Sequence, residues 1–240
     1  MSEKPDDRLA DTFASIAREL EAATGPSATY ERITRAARDT IEGCDHAAIS
    51  LVGRRGAIST VAATDEVPQL VDRLQYALRE GPCLDAIGGD PVALVADLVA
   101  DTRWPRFGPR ATAETGIRSM LSFRLFAGAE TFGGLNLYSR RPDAFDDHAR
   151  AGGAILAAHA AIAMSAAQER QQLAQVQEAL RSNRRIGMAM GILMGRGRLT
   201  EAEAFTQLRR ASMALNVKMR DLAEDVVETG ELPVSPRGDG

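Results

Sequence analysis

The stretch AAISLVGRRGAISTVA, residues 47–62, decides the fold. Two short runs, 47–52 and 57–62, carry β-branched residues on either side of GRRG at 53–56, so the stretch reads as a β-hairpin. Towards the N-terminus the period is helical. Residues 6–23 and 28–42 are predicted amphipathic helices, the second repeating Tyr30, Ile33, Ala37 and Ile41, with Gly25 and Pro26 between them. Towards the C-terminus the spacing predicts a helix over 67–78 and a Gly- and Pro-dense loop over 80–91. A strand over 92–98, a helix over 105–114 stopped near Gly116, and strands over 119–126 and 134–138 follow, the last two joined by a loop with Gly128. Strands in the middle and helices at both ends predict an α+β fold rather than repeated βαβ units.

From residue 143 the sequence turns helical and stays so to 194, rich in Ala, Gln, Glu, Arg and Leu. Ala166, Glu169, Leu173, Val176, Leu180, Asn183, Gly187, Met190 and Met194 alternate by three and four. That seam reads either as a dimerising coiled coil or as one helix packed on its own domain. Thr200-Glu201-Ala202-Glu203 is a capping box, with Phe205, Leu208, Ser212 and Leu215 on the face behind it. Asn216 is predicted to cap a third helix with Met219, Leu222, Ala223 and Val226 inside, and Gly230 to close it.

Composition excludes whole classes. The 240 residues are 45% hydrophobic and 26% charged, ordinary for a globular protein and unlike a disordered or collagenous one. No unbroken run of 18 apolar residues marks a membrane span. The start, MSEKPDDRLADTF, lacks the pattern of a signal peptide. Cys44 and Cys83 are too few for a disulfide framework or a metal cluster, so a reduced, cytoplasmic chain without a metal is expected. Net charge is -4, but residues 181–220 hold nine basic and two acidic side chains, +7, leaving -11 elsewhere. A basic block in an acidic chain is either a polyanion-binding module or a solvated helix face.

The motif Arg184-Arg185-Ile186-Gly187-Met188-Ala189-Met190-Gly191-Ile192-Leu193-Met194 resembles the opening of an ANTAR domain, the RNA-binding module of transcription antitermination regulators. The likeness continues through Leu199-Thr200, Ala204-Phe205, Leu208-Arg209 and Ser212, and ends with Asn216, Lys218 and Arg220-Asp221-Leu222-Ala223. It implies binding to hairpin loops in nascent mRNA, with Arg184, Arg185, Gly187, Ala189, Gly191, Arg196, Arg209, Asn216, Lys218 and Arg220 as the RNA-binding set. Arginine and lysine would meet phosphates and stack on splayed bases. Gly187 and Gly191 share a helix face and serve either tight helix packing or close approach of RNA. Asn216 is either an N-cap alone or also a reader of base edges. Phe205, the one aromatic there, is expected to be buried, which leaves no stacking platform.

The middle of the chain resembles a GAF domain. The carrying motifs are Glu80-Gly81-Pro82-Cys83-Leu84-Asp85-Ala86, Asp101-x-Arg103-Trp104-Pro105-x-Phe107, Gly116-Ile117-Arg118-Ser119 and Phe132-Gly133-Gly134-Leu135-Asn136-Leu137-Tyr138. The resemblance implies an antiparallel sheet flanked by helices and a ligand cavity under its loops, with Cys83, Asp85 and Trp104 as candidate ligand-binding residues. Asp143-Ala144-Phe145-Asp146-Asp147 lacks the Asn-Lys start of the cyclic-nucleotide signature, so no cofactor is assigned. Cys83 reads as buried packing, a redox thiol or a nucleophile, and His46 as a possible haem ligand. Nothing in the spacing sets up catalysis, and Gly88-Gly89 lacks the Lys and Ser/Thr of a phosphate loop.

The domain reading is therefore an N-terminal helix over 1–26 and a GAF-like sensor over 27–165. A coiled coil with an all-α three-helix ANTAR unit spans 166–232, and a disordered tail spans 233–240. The function expected is a signal-responsive, homodimeric regulator that binds RNA hairpins and controls termination, with a small molecule at the sensor and no membrane. The alternative is a DNA-binding regulator, since three short helices with a basic face also fit a groove.

Overall fold

The computed structural model describes residues 5–127 and 130–233, and the chain divides into two compact units, Met1–Gln171 and Gln172–Gly240. The loop with Gly128 and the tail from residue 234 onwards lie outside the described residues. The elements run α1 (Pro5–Glu21), α2 (Pro26–Thr40), β1 (His46–Val52), β2 (Ile58–Ala63), α3 (Glu66–Leu78), α4 (Pro82–Gly88), β3 (Val92–Val95), α5 (Phe107–Thr115), β4 (Ser119–Ala127), β5 (Glu130–Ser139), α6 (Asp147–Gly197), α7 (Glu201–Leu215) and α8 (Met219–Thr229).

The N-terminal unit is built on one antiparallel sheet of order β2-β1-β5-β4-β3. Successive side chains leave a strand on opposite faces, so alternation makes two different layers. Ala47, Ile49, Leu121, Phe123, Leu125, Leu135 and Leu137 form one core with side chains of α1, α2 and the first part of α6. Ala48, Met120 and Tyr138 face the other way, into a second core with Val71, Leu74, Trp104, Phe107 and Ala111 of the α3–α5 side. Ser50, Ser122 and Asn136 alternate onto this second face, so it is markedly more polar. The strands can approach closely because Gly133 carries no Cβ; one there would collide with the Ser50 carbonyl.

Residues 80–91 are not mostly loop, because Pro82–Gly88 form α4. The glycine and proline that read as loop punctuation are its start. Gly81 sits at the N-cap with φ 138°, a value that favours glycine, and Pro82 occupies the first turn, where a missing N–H costs nothing. Burial of Cys83 and Ala86 then holds the short helix against the sheet.

Helix α6 includes an 18-residue window of mean hydropathy 1.3, long and apolar enough by composition to cross a membrane, of which 44% is buried inside the protein. Leu156, Ala157, Ala160, Ala161 and Met164 are part of the first core, so packing on the sheet accounts for much of the helix's apolar content.

In the C-terminal unit the end of α6 packs with α7 and α8 around Ala189, Leu193, Ala204, Leu208, Leu222, Ala223 and Val226. The capping box forms as expected: the Glu203 carboxylate accepts from the Thr200 N–H at 2.8 Å, and Thr200 Oγ1 accepts from the Glu203 N–H at 3.4 Å. Gly230 closes α8 with φ 79°. Two expectations fail. Asn216 does not cap α8; it ends α7 in the left-handed conformation at φ 52° and ψ 39°, which asparagine tolerates better than most residues, and Lys218 holds the α8 N-cap. Phe205 is not buried: Ala204 and Leu208 fill the inner face of α7, and Phe205 is 41% exposed. Met190 and Met194 are partly buried against the same core. That half of the expected heptad seam is engaged within the chain.

Candidate nucleic-acid interface and buried polar cluster

The basic residues of the C-terminal unit fall into two groups. Arg185 pairs with Glu224 at 2.7 Å, Arg196 with Glu231 at 3.0 Å, and Arg220 with both Glu178 and Asp221 at 3.1 Å. Arg181, Arg184, Arg198, Arg209, Arg210 and Lys218 are exposed and have no ion-pair partner within 4.0 Å among the described residues. The paired side chains are between 44% and 72% exposed, so each pair is worth about 1 kcal/mol or less and yields readily to a competing phosphate. Residues 172–240 hold ten basic and nine acidic side chains, a net +1, so the +7 of residues 181–220 is offset by carboxylates outside that window, most of them in or near α8. Selectivity for an anion must come from where the unpaired cations stand, not from net charge.

Gly187 and Gly191 are not packing sites within the chain, because a Cβ at either would meet nothing within 4 Å. They lie in an open groove of about 760 Å³ whose far side is Glu201, Ala202 and Phe205. Ala189, between them in sequence, points the other way and is fully buried, so its part in the unit is helix packing and it offers no surface to RNA. Asn216 is exposed at the α7–α8 corner beside Lys218, and its side chain makes no cap.

On the second face of the sheet the structure gathers a polar cluster that the sequence did not signal. Asp72 of α3 is fully buried. Its carboxylate accepts from Tyr138 Oη at 2.5 Å, Thr60 Oγ1 at 2.7 Å, Gln75 Nε2 at 3.1 Å and Ser50 Oγ at 3.4 Å. Tyr76 Oη donates to Ser50 Oγ at 2.7 Å, and Asn136 Nδ2 lies 3.1 Å from both Ser50 Oγ and Cys83 Sγ. No cation is paired with Asp72 among the described residues. Burial therefore raises its pKa to about 6 despite the four hydrogen bonds that favour the ionised form. Asn136 Oδ1 and Ser122 Oγ are buried without a partner. Eight residues from β1, β2, α3, α4 and β5 make this cluster, and no local motif announces it.

Of the expected ligand residues, two meet directly: Trp104 Nε1 donates to Asp85 Oδ2 at 3.1 Å, with Trp104 buried. Cys83 is fully buried, its backbone N–H donating to Gln75 Oε1 at 3.0 Å. Burial, reinforced by the Asp72 charge, raises its thiol pKa to about 12. Its side-chain neighbour is Asn136 rather than a histidine. His46 stands at the start of β1 with Nδ1 2.6 Å from Asp65 Oδ2. No group of three or more metal-ligating side chains occurs among the described residues.

A five-stranded antiparallel sheet flanked by helices is the architecture that comparison with known proteins recovers. The GAF domain model matches residues 23–165, more than half of the chain. The chain belongs to the GAF family. An ANTAR domain model matches residues 174–227, so the GAF domain is followed by an ANTAR domain. The GAF domain of an Acinetobacter phosphoenolpyruvate-protein phosphotransferase is similar at 15% identity and a TM-score of 0.54, covering 72% of this chain and 99% of that one. The chromophore-binding domain of a bacteriophytochrome from R. palustris is similar at 10% identity and a TM-score of 0.50, covering 71% and 64%. The GAF domain of the cyanobacteriochrome TePixJ is similar at 14% identity and a TM-score of 0.50, covering 62% and 94%. At those identities the likeness speaks for the fold alone. No curated protein matches the chain. GAF domains sense ligands and ANTAR domains are RNA-binding antitermination domains, so the chain joins a sensing domain to a regulatory one.

Proposed function

We propose that this chain is a signal-responsive regulator that binds hairpin loops in nascent mRNA through its ANTAR domain and controls transcription termination. The observation that carries the reading is the ANTAR match over 174–227 together with the exposed, unpaired Arg184, Arg209 and Lys218 within it. In this reading the protein works in the cytoplasm as a homodimer. The support for a dimer is on α6, where Leu173, Val176 and Leu180 are 62%, 51% and 65% exposed at alternating spacings of three and four. The GAF domain is the proposed seat of a small-molecule ligand, in keeping with its ligand-sensing family. Catalysis is not part of the proposal: burial raises the Cys83 thiol pKa, and its side chain bonds Asn136.

The test is transcription on a template carrying a hairpin selected by the full-length protein and placed so that it competes with a terminator. Read-through that rises with protein and is lost when the hairpin loop is changed supports the proposal. Read-through insensitive to the loop contradicts it, and tighter binding to duplex DNA than to the hairpin would favour a DNA-binding regulator instead.

A further inference from the structure

Phe205 and the two bare glycines belong to one groove. Its floor is the α6 backbone at Gly187 and Gly191, and Phe205, Met190, Asn183 and Glu201 stand around it. Mid-helix glycine costs about 1 kcal/mol relative to alanine, and nothing in this chain packs against either one to offset that. An exposed aromatic ring next to open backbone suits a flat apolar guest at van der Waals distance. Asn183 offers a donor and an acceptor, and Glu201 an acceptor, for the polar edge of such a guest. Arg209 lies one helical turn beyond Phe205, and Arg184, the residue after Asn183, lines the neighbouring pocket with Arg185 and Arg220; neither Arg184 nor Arg209 has an ion-pair partner among the described residues. A flat ring with a polar edge, flanked by anions, is an unstacked nucleobase in a single strand.

We propose that this groove captures one unpaired RNA base, stacked on Phe205 over Gly187 and Gly191, with Arg184 and Arg209 on the neighbouring phosphates. The assignment rests on the RNA-binding reading and gives it the stacking platform that a buried Phe205 would have denied. A second copy of the chain is the lesser candidate for the groove. Met190 and Met194 already pack against the chain's own core, and Glu201 would bring a charge into an apolar contact.

The experiment uses the full chain and a hairpin recovered from a loop-randomised RNA pool by the wild-type protein. 2-Aminopurine is placed at each loop position in turn. One position should lose fluorescence on binding, through stacking. Phe205→Ala should abolish that quench and weaken binding about 5- to 150-fold, the range for loss of one base–aromatic stack. The salt dependence should stay unchanged, since the ring is uncharged. Phe205→Tyr should keep both quench and affinity. Gly191→Leu, in a helix with open space above it, should fill the groove and remove the quench while helical content is retained. Phe205→Ala binding within twofold of wild type with the quench intact overturns the proposal and leaves the RNA-binding reading standing. A change of oligomeric mass in Phe205→Ala also overturns it, assigning the groove to a second copy. Failure of the wild type to enrich any hairpin overturns both.

Discussion

Replacing Asp72 by Asn tests the buried polar layer of the GAF domain directly. The Asp72 carboxyl titrates near 6 in the folded chain because burial opposes its charge, against an ordinary value of 3.8. Below pH 4 it is protonated in both states and contributes no pH dependence. Between pH 4 and 6 the unfolded chain ionises there while the folded chain does not, so folding stability falls as pH rises. The shift corresponds to about 3 kcal/mol, fully developed above pH 6. Tyr76, Tyr138 and Cys83, the other titratable groups facing Asp72, all have raised pKa values and stay neutral throughout this window. Other carboxylates, such as Asp65 and Asp101, are held low and contribute the opposite slope, stability that is lost as pH falls. Comparing variant with wild type at each pH cancels those contributions. Urea unfolding followed by fluorescence of Trp104, the only tryptophan and a buried residue of this unit, is the assay. The stability of Asp72→Asn relative to wild type should climb by about 3 kcal/mol between pH 4 and pH 7. Parallel stability curves across that range would refute the reasoning.

Three further outcomes follow from the same structure. Leu173→Glu with Leu180→Glu should turn a sedimenting dimer into a monomer and weaken RNA binding through lost bivalency, and a wild type that is monomeric at micromolar concentration would exclude the dimer. Native protein at neutral pH should resist thiol labelling at both cysteines, because burial raises each thiol pKa to about 12; rapid labelling of Cys83 would contradict its placement. Thr200→Ala removes the α7 cap and should cost about 1 kcal/mol in the stability of the ANTAR unit, measured by thermal loss of helical circular dichroism.

Much of the fold was legible because its signals are local. The 47–62 hairpin, the capping box at Thr200 and the closing Gly230 each depend on residues a few positions apart. Misreadings arose where one residue type serves two ends of an element. Gly81-Pro82 punctuates loops but also opens helices, and here the burial of Cys83 and Ala86 decided for a helix. Asn216 suits an N-cap and a left-handed C-terminal turn equally, and the corner between α7 and α8 chose the second. Periodicity places Phe205 on the inner face of α7, but Ala204 occupies it, a rotation of one residue that periodicity alone resolves poorly. The Asp72 cluster was invisible for a different reason. Ser50, Thr60, Asp72, Cys83, Asn136 and Tyr138 are drawn from five elements far apart in sequence, and only the sheet order and the packing of α3 and α4 on it bring them together. The +7 block was real as a count but incomplete as electrostatics, since Glu178, Asp221, Glu224 and Glu231 meet its arginines from outside the window.

The central claim, recognition of an RNA loop by the ANTAR unit, is tested most directly by titrating the full-length protein against three probes. These are a selected hairpin, the same stem with a changed loop, and a DNA duplex of equal charge, each across a range of salt concentrations. Binding should be tightest for the selected hairpin, with log affinity falling linearly with log salt. Arg184→Ala and Lys218→Ala should each flatten that slope by about one unit. Equal affinity for all three probes at physiological salt would mean that the unit is a non-specific polycation, and would contradict the account.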